Sequence, residues 1–490
     1  MRALILLHRW LGVAFCLLFA MWFASGIVMH FVPFPALTEA ERFAGLAPID
    51  LARVKIGPAD ARQASGIGDA ARVRLIQRAE SPVYLIAGST RLAALHADDG
   101  SLAPVRSDES ALTIAADYAQ RRDWDVSAAK IAALNAYDQW TVPGIFDWHR
   151  PLYRVALNDG PDTELYVSSV TGEIVLDTTR RERMWNYPGS VAHWIYPTAL
   201  RSHPTAWRLS VWWLSLLALI GTAIGAIVGT LRIEIERRRP LSPYSGWQAL
   251  HHWLGLGCAL FVLTWIFSGW LSMDDGLLFS TGNASAADDM AIVGTPAWDA
   301  LPPGEIRRLS AADREVEWFA FAGKIYRRER TDIDRQHLFL AGNDDGTKPA
   351  RAFLQADQVD AAASRMSHPC GAAFVPGPDD AYAVAASVPG APVFRVVCGA
   401  DWYDIDGASG SLLEKLDPSR RAYRWLFAGL HTLEIPPLTK RPALRAALIV
   451  GLCGCGFVFS LTGVVIAWRR LRSCFRAPER QVIPAETPPQ

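Results

Sequence analysis

Four stretches of this chain, Leu4–Val32, Leu209–Leu231, Leu250–Met273 and Leu444–Trp468, stay apolar for long enough to cross a bilayer. As helices rising about 1.5 Å per residue, each covers a hydrocarbon layer of about 30 Å. Hydrocarbon offers no water to peptide groups, so such stretches must close their backbone hydrogen bonds within themselves. A membrane protein built on a four-helix transmembrane bundle follows. Residues 33–206 and 274–440 are long enough to fold as domains, whereas 232–249 is a short loop and 469–490 a tail.

Basic residues near the helix ends set the orientation. Arg2 and Arg9 flank the first helix, Arg232 and Arg237-Arg238-Arg239 fill the short loop, and Arg469, Arg470, Arg472 and Arg476 follow the last helix. Both termini are therefore expected in the cytoplasm, with 33–206 and 274–440 on the outer face of a bacterial inner membrane. The first apolar run is too long for a signal-peptide core and is read as a retained anchor. Lysine and arginine together number 49 and so do aspartate and glutamate, a balance that gives no hint of a nucleic-acid partner; the partner the apolar runs imply is the lipid bilayer. Cys370 and Cys398 are the two cysteines in an outer segment, where an oxidising compartment permits either a disulfide or two free thiols. No CxxC or CxxCH motif is present, which argues against iron–sulfur ligation and covalently attached haem.

The first and third helices repeat one another. Leu7-His8-Arg9-Trp10-Leu11-Gly12, continuing to Trp22 and Ser25-Gly26, recurs 243 residues later as Leu250-His251-His252-Trp253-Leu254-Gly255, continuing to Trp265 and Ser268-Gly269. A second offset, 238, carries His193 onto His431 and Gly225 onto Gly463. Each half thus reads helix, outer domain, outer histidine, helix, an internal repeat with a pseudo-two-fold axis along the membrane normal. Polar groups in hydrocarbon are expensive and tend to be functional, and this axis sets equivalent histidines face to face. Two neutral imidazoles can hold one haem iron from both sides, so His8 with His251 and His193 with His431 are expected to bind two haem b groups, one near each membrane face. His252 aligns with Arg9, and His30 aligns with Met273, so each is a secondary candidate only. Trp22 and Trp265 lie between the two levels, either packing the helices or shortening an electron path.

The outer segments alternate helical and strand-like spacing: Ser107–Arg122, Lys130–Val142, Leu152–Leu157 and Glu164–Val175 in the first, and Arg351–Met366, Ala381–Ser387, Val393–Cys398 and Trp402–Leu413 in the second. Strand pairs near Val73–Leu95 and Val316–Tyr326 add further α+β modules. The Leu-His-Arg-Trp-Leu-Gly and Ser-Gly helix, the Tyr166 to Glu173 hairpin, Gly429-Leu430-His431-Thr432 and Thr462-Gly463-Val464 make the chain resemble the PepSY-associated transmembrane family. The resemblance implies PepSY-like modules in the periplasm and a connection with iron uptake, some members being haem-containing reductases of ferric siderophores.

Filling both axial positions leaves iron no open site, which suits electron transfer and not oxygen chemistry. No G-x-G-x-x-G follows a strand, so electrons must come from a separate cytoplasmic or quinol donor. The expected function is an inner-membrane haem protein reducing a periplasmic ferric siderophore or other ferric chelate, with Arg150, Arg154, Arg181 and Arg183 available to attract an anion. The competing reading is a non-enzymatic PepSY regulator that binds a periplasmic peptidase or partner. A transporter is disfavoured by four spans without buried carboxylates. Reporter fusions after residues 120 and 350 should both read as periplasmic; a cytoplasmic reading at either site overturns the orientation.

Overall fold

The computed structural model describes residues 1–233, 242–274, 279, 282–342 and 350–475. Among these, four helices are long and apolar enough to cross a membrane: α1 (Arg2–Phe31), α2 (Pro204–Leu231), α3 (Gly246–Leu271) and α4 (Pro442–Phe475). The shortest has 26 residues, about 39 Å of helix against a hydrocarbon layer of about 30 Å. Proline begins both α2 and α4 a few residues before their apolar runs, at the position where the missing N–H has no helical partner to lose. At its far end α4 runs on through Arg469, Arg470 and Arg472, whose charges suit a helix C-terminus. The clusters Arg237–Arg239 and Arg476 lie outside the described residues. Around the bundle, α1 packs on α2, α2 on α3, α3 on α4 and α4 on α1, so α1 and α3 occupy opposite corners.

Both long segments leave the bundle on one side, here the sheet side; the start of α1 and the end of α4 mark the other, the terminal side. The first segment forms β1 (Arg72–Arg78), β2 (Ser81–Ala87) and β3 (Leu92–His96), then a helix, Asp108–Gln120, packed on β4 (Lys130–Asn135), β5 (Leu152–Ala156), β6 (Glu164–Ser168) and β7 (Ile174–Thr178). The second forms β8 (Glu315–Phe321), β9 (Lys324–Arg330) and β10 (Gln336–Leu340), then a helix, Ala356–Ala363, packed on β11 (Val393–Cys398), β12 (Asp401–Asp406) and β13 (Leu412–Leu416). β1 and β8 begin 243 residues apart and β7 and β13 238 apart, the offsets carried by the histidines.

Local periodicity could not show how the two segments join. β1 pairs antiparallel with β8, setting Arg74 opposite Glu317 and Leu75 opposite Val316, so six strands run β10-β9-β8-β1-β2-β3 in one sheet. The seam carries a buried ion network. Glu315, 1 % exposed, takes Arg42 at 2.8 Å, Arg330 at 2.9 Å and Arg74 at 3.3 Å, and Arg330 also reaches Glu39. Burial alone would push the Glu315 carboxyl up, but Arg42, Arg74 and Arg330 outweigh it and hold it well below the usual carboxylate range.

Three expected elements differ. The Lys130–Val142 strand stops at Asn135 because the Asp138 carboxylate captures the N–H groups of Trp140 and Thr141 in a turn. The Arg351–Met366 helix contracts to Ala356–Ala363. Ala381–Ser387 forms turns and coil instead of a strand. The buried Arg395 guanidinium binds Asp404, Asp380 and the Tyr382 carbonyl, which draws residues 380–382 inward. Bridges from Cys370 to Cys398 and from Phe374 to Arg395 occupy the β11 edge in its place, and Cys370 and Cys398 are disulfide-bonded.

Removing the shared carboxylate of a buried ion network leaves its arginines short of counter-charge, with only Glu39 and Glu173 remaining to Arg42, Arg74 and Arg330. Glu315→Ala is therefore expected to cost about 3–5 kcal/mol of stability, read from thermal unfolding in detergent. Because the folded pKa lies below the unfolded one, the contribution of Glu315 is present above about pH 4.5 and lost as the pH falls further. Wild-type stability that does not decline below that pH, or an unchanged variant, counts against the seam.

Candidate functional site: two facing histidine pairs

On the terminal side, opposite corners of the bundle bring His8 of α1 and His251 of α3 together with ring centroids 6.4 Å apart. His8 Nδ1 lies 3.2 Å from the Gly221 carbonyl, which can only accept, so Nδ1 carries the proton. His251 Nδ1 lies 2.8 Å from Thr462 Oγ1, whose own hydrogen goes to the Phe459 carbonyl at 2.6 Å; Thr462 therefore accepts, and Nδ1 is again protonated. Both rings keep an Nε2 lone pair. Gly225 makes the approach possible, since a Cβ there would sit 2.6 Å from His8 Cε1. Gly463 stands in the same relation to His251, its Cβ position 3.6 Å from Cε1. The rings open on a cavity of about 750 Å³ lined by Gly12, Gly221, Gly255 and Phe459, with Arg9, Arg469 and Arg470 also on its wall. That volume suits a cofactor-sized ligand, for which pockets run roughly 300–1,000 Å³.

On the sheet side, His193 and His431 meet with centroids 6.2 Å apart. They follow two π-helical turns, Tyr187–Val191 and Trp425–Gly429, an irregularity that recurs at functional sites. Ser25 gives its hydrogen to the Trp22 carbonyl and accepts from His193 Nδ1 at 2.9 Å; Ser268 gives its hydrogen to the Trp265 carbonyl and accepts from His431 Nδ1 at 3.0 Å. Again Nε2 is left on both rings. Gly26 and Gly269 face the two Cε1 edges, their Cβ positions 3.7 and 3.4 Å away. Burial, helped by the neighbouring His431, pushes the His193 imidazole down to about 3, so it is neutral.

Two imidazoles on opposite faces of one metal ion place their centroids roughly 6 Å apart, from metal–nitrogen bonds of about 2 Å and a ring radius of about 1 Å. Both pairs match this spacing. A ligand histidine characteristically has its other nitrogen held by a carbonyl or similar acceptor, as all four do here.

The remaining candidates separate cleanly. His252 is buried with Nδ1 on Ser242 at 2.8 Å and Nε2 on the Gly229 carbonyl at 2.8 Å, which leaves no lone pair for a metal. His30 lies one turn past Gly26, and its ring contact is with neighbouring Phe31 at 5.2 Å, not with either pair. Trp22 donates its indole N–H to the His193 carbonyl, while Trp265 packs inside the bundle on Phe23 and Phe261. Arg150, Arg154 and Arg183 are paired with Asp147, Glu164 and Asp162 within their own module, and Arg181 is exposed. The roles of Gly221, Ser25, Ser268 and Thr462 were not foreseen, although the repeated Ser-Gly pair at Ser25 and Ser268 was the visible trace of two of them.

Neither a family model nor a curated protein matches the chain. The family resemblance therefore rests on its motifs alone. Gly225→Val is expected to displace the His8 ring, read as a shift of the His8 imidazole resonances with those of His193 and His431 unchanged; an unmoved His8 contradicts the crowding at Gly225.

Proposed function

We propose that the chain is a haem-carrying membrane electron-transfer protein that reduces ferric iron held in a chelate on the sheet side. The observation that carries this reading is the set of four imidazoles in two pairs, with ring centroids 6.4 and 6.2 Å apart and each Nδ1 tied down by an acceptor. Haem bound between two histidines supplies a one-electron couple with no open coordination position. His8 and His251 would hold one group, with Arg9, Arg469 and Arg470 at the cavity wall suited to its propionates. His193 and His431 would hold the other.

The residues in between serve the same reading. His8 to Ser25 on α1 and His251 to Ser268 on α3 are both 17 residues, about 26 Å by helix rise. Phe23, Phe261 and Trp265 fill that interval with ring centroids 5.8–6.3 Å apart, which excludes water from the bundle centre. The paired offsets of 243 and 238 support descent from one duplicated unit, and the sheet modules fit the PepSY-like expectation, with the sheet side periplasmic and both termini cytoplasmic. A cytoplasmic or quinol donor supplies the electrons. Reduction weakens hard oxygen-donor chelators for iron, so a ferric siderophore or similar ferric chelate is the fitting acceptor.

Purified protein is expected to contain two haems per chain. His8→Ala or His251→Ala should remove or convert to high spin one of them, and His193→Ala or His431→Ala the other. Chemically reduced protein mixed with a ferric siderophore without oxygen should reoxidise while a chromogenic chelator captures ferrous iron. Protein without haem sinks the reading and favours a regulator that binds a partner; haem that stays reduced beside several ferric chelates sinks the choice of acceptor.

A further inference from the structure

A second cavity, about 460 Å³, opens on the sheet side where the start of α2 meets the end of α3. Its wall carries three arginines, Arg201, Arg208 and Arg420, against one acidic residue, Asp274. Pro204 and Thr205 add the first turn of α2, whose N–H groups point outward with the positive end of the helix dipole. Two of the cations are held flat on aromatic faces, Arg201 over Trp207 at 4.7 Å and Arg420 over Tyr423 at 5.4 Å. This stacking orients a guanidinium with its edge toward in-plane partners, and Arg420 already has one in Glu414 at 3.5 Å. Arg201 Nε is buried without a hydrogen-bond acceptor among the described residues. A buried donor in that state takes its acceptor from water or from a ligand.

The cavity also communicates with the sheet-side histidines. Tyr423 on its wall stacks on Phe427 at 5.5 Å, and Phe427 stacks on His431 at 5.5 Å, one ring per helical turn. On the other flank Trp207 donates its indole N–H to the carbonyl of Trp194, the residue after His193.

We propose that this cavity binds an oxyanion-bearing ligand, its oxygens received by Arg201 and Arg420 and the first turn of α2. Two sources share that chemistry: a soluble carboxylate-bearing ferric chelate, and the phosphate of a lipid headgroup at the membrane surface. The ring path to His431 singles out the chelate, an identification that rests on the proposed function, whereas the oxyanion site does not.

The test uses full-length protein in maltoside detergent. Gallium(III) citrate, a redox-inert stand-in for ferric citrate, is titrated calorimetrically, and retention of phosphatidylglycerol is read by native mass spectrometry. Gallium citrate should bind wild type, and the Arg201→Gln/Arg420→Gln pair should weaken it at least tenfold with haem content unchanged. Arg420→Lys should retain most of the binding, and Met273→Glu, which adds a negative charge to the wall without removing an arginine, should abolish it. Retention of phosphatidylglycerol by wild type and its loss from both charge-altering variants, with no gallium citrate bound, keeps the oxyanion site and assigns it to lipid. Equal behaviour of wild type and variants toward both ligands overturns it. Gallium binding needs neither haem nor electrons, so a haem-free protein that binds it sinks the proposed function and leaves the site standing.

Discussion

An imidazole placed in hydrocarbon has two nitrogens to satisfy and no water to satisfy them. The four paired histidines meet that constraint in one way. A carbonyl or hydroxyl takes the Nδ1 proton, and a second histidine ring lies 6.2–6.4 Å away, centroid to centroid. His252, one residue from His251, shows the contrast, since a hydroxyl and a carbonyl satisfy both its nitrogens and it ends as a packing residue.

The helices convert this local chemistry into a fixed spacing. α1 carries His8 and, through Ser25, holds His193; α3 carries His251 and, through Ser268, holds His431. Each helix therefore contributes one imidazole at one level and anchors one at the other, over the same 17 residues. Glycine at 26, 225, 269 and 463 keeps a Cα beside every ring, where larger side chains would force the imidazoles off axis.

Much of this was legible in the sequence because it is written in short range. A polar residue repeated at matched depth in two apolar runs stands out, and the distinction between His251 and His252 follows from the alignment of His252 with Arg9. What could not be read depends on tertiary contacts, which leave no local periodicity. The pairing of β1 with β8 leaves no periodic trace, because an edge strand and a central strand can share one pattern. Ala381–Ser387 has the composition of a strand, and only the demand of buried Arg395 for carboxylates explains why it bends. The acceptors for Nδ1 escaped notice for a related reason: Gly221 contributes a backbone carbonyl, a group that every residue carries.

The two pairs differ in what sets their geometry. His8 and His251 sit within long helices, so their separation follows the packing of α1 and α3 and answers to little beyond the bundle. His193 and His431 sit on turns that follow the sheet segments, each a few residues past a short helix capped from β7 or β13. Those segments are tied to each other through the β1–β8 seam and its buried carboxylate. The sheet-side pair is thus set both by the bundle, through Ser25 and Ser268, and by the sheet segments, while the terminal-side pair is set by the bundle alone. On the proposed function this asymmetry places the adjustable centre on the face where the acceptor docks and keeps the other constant.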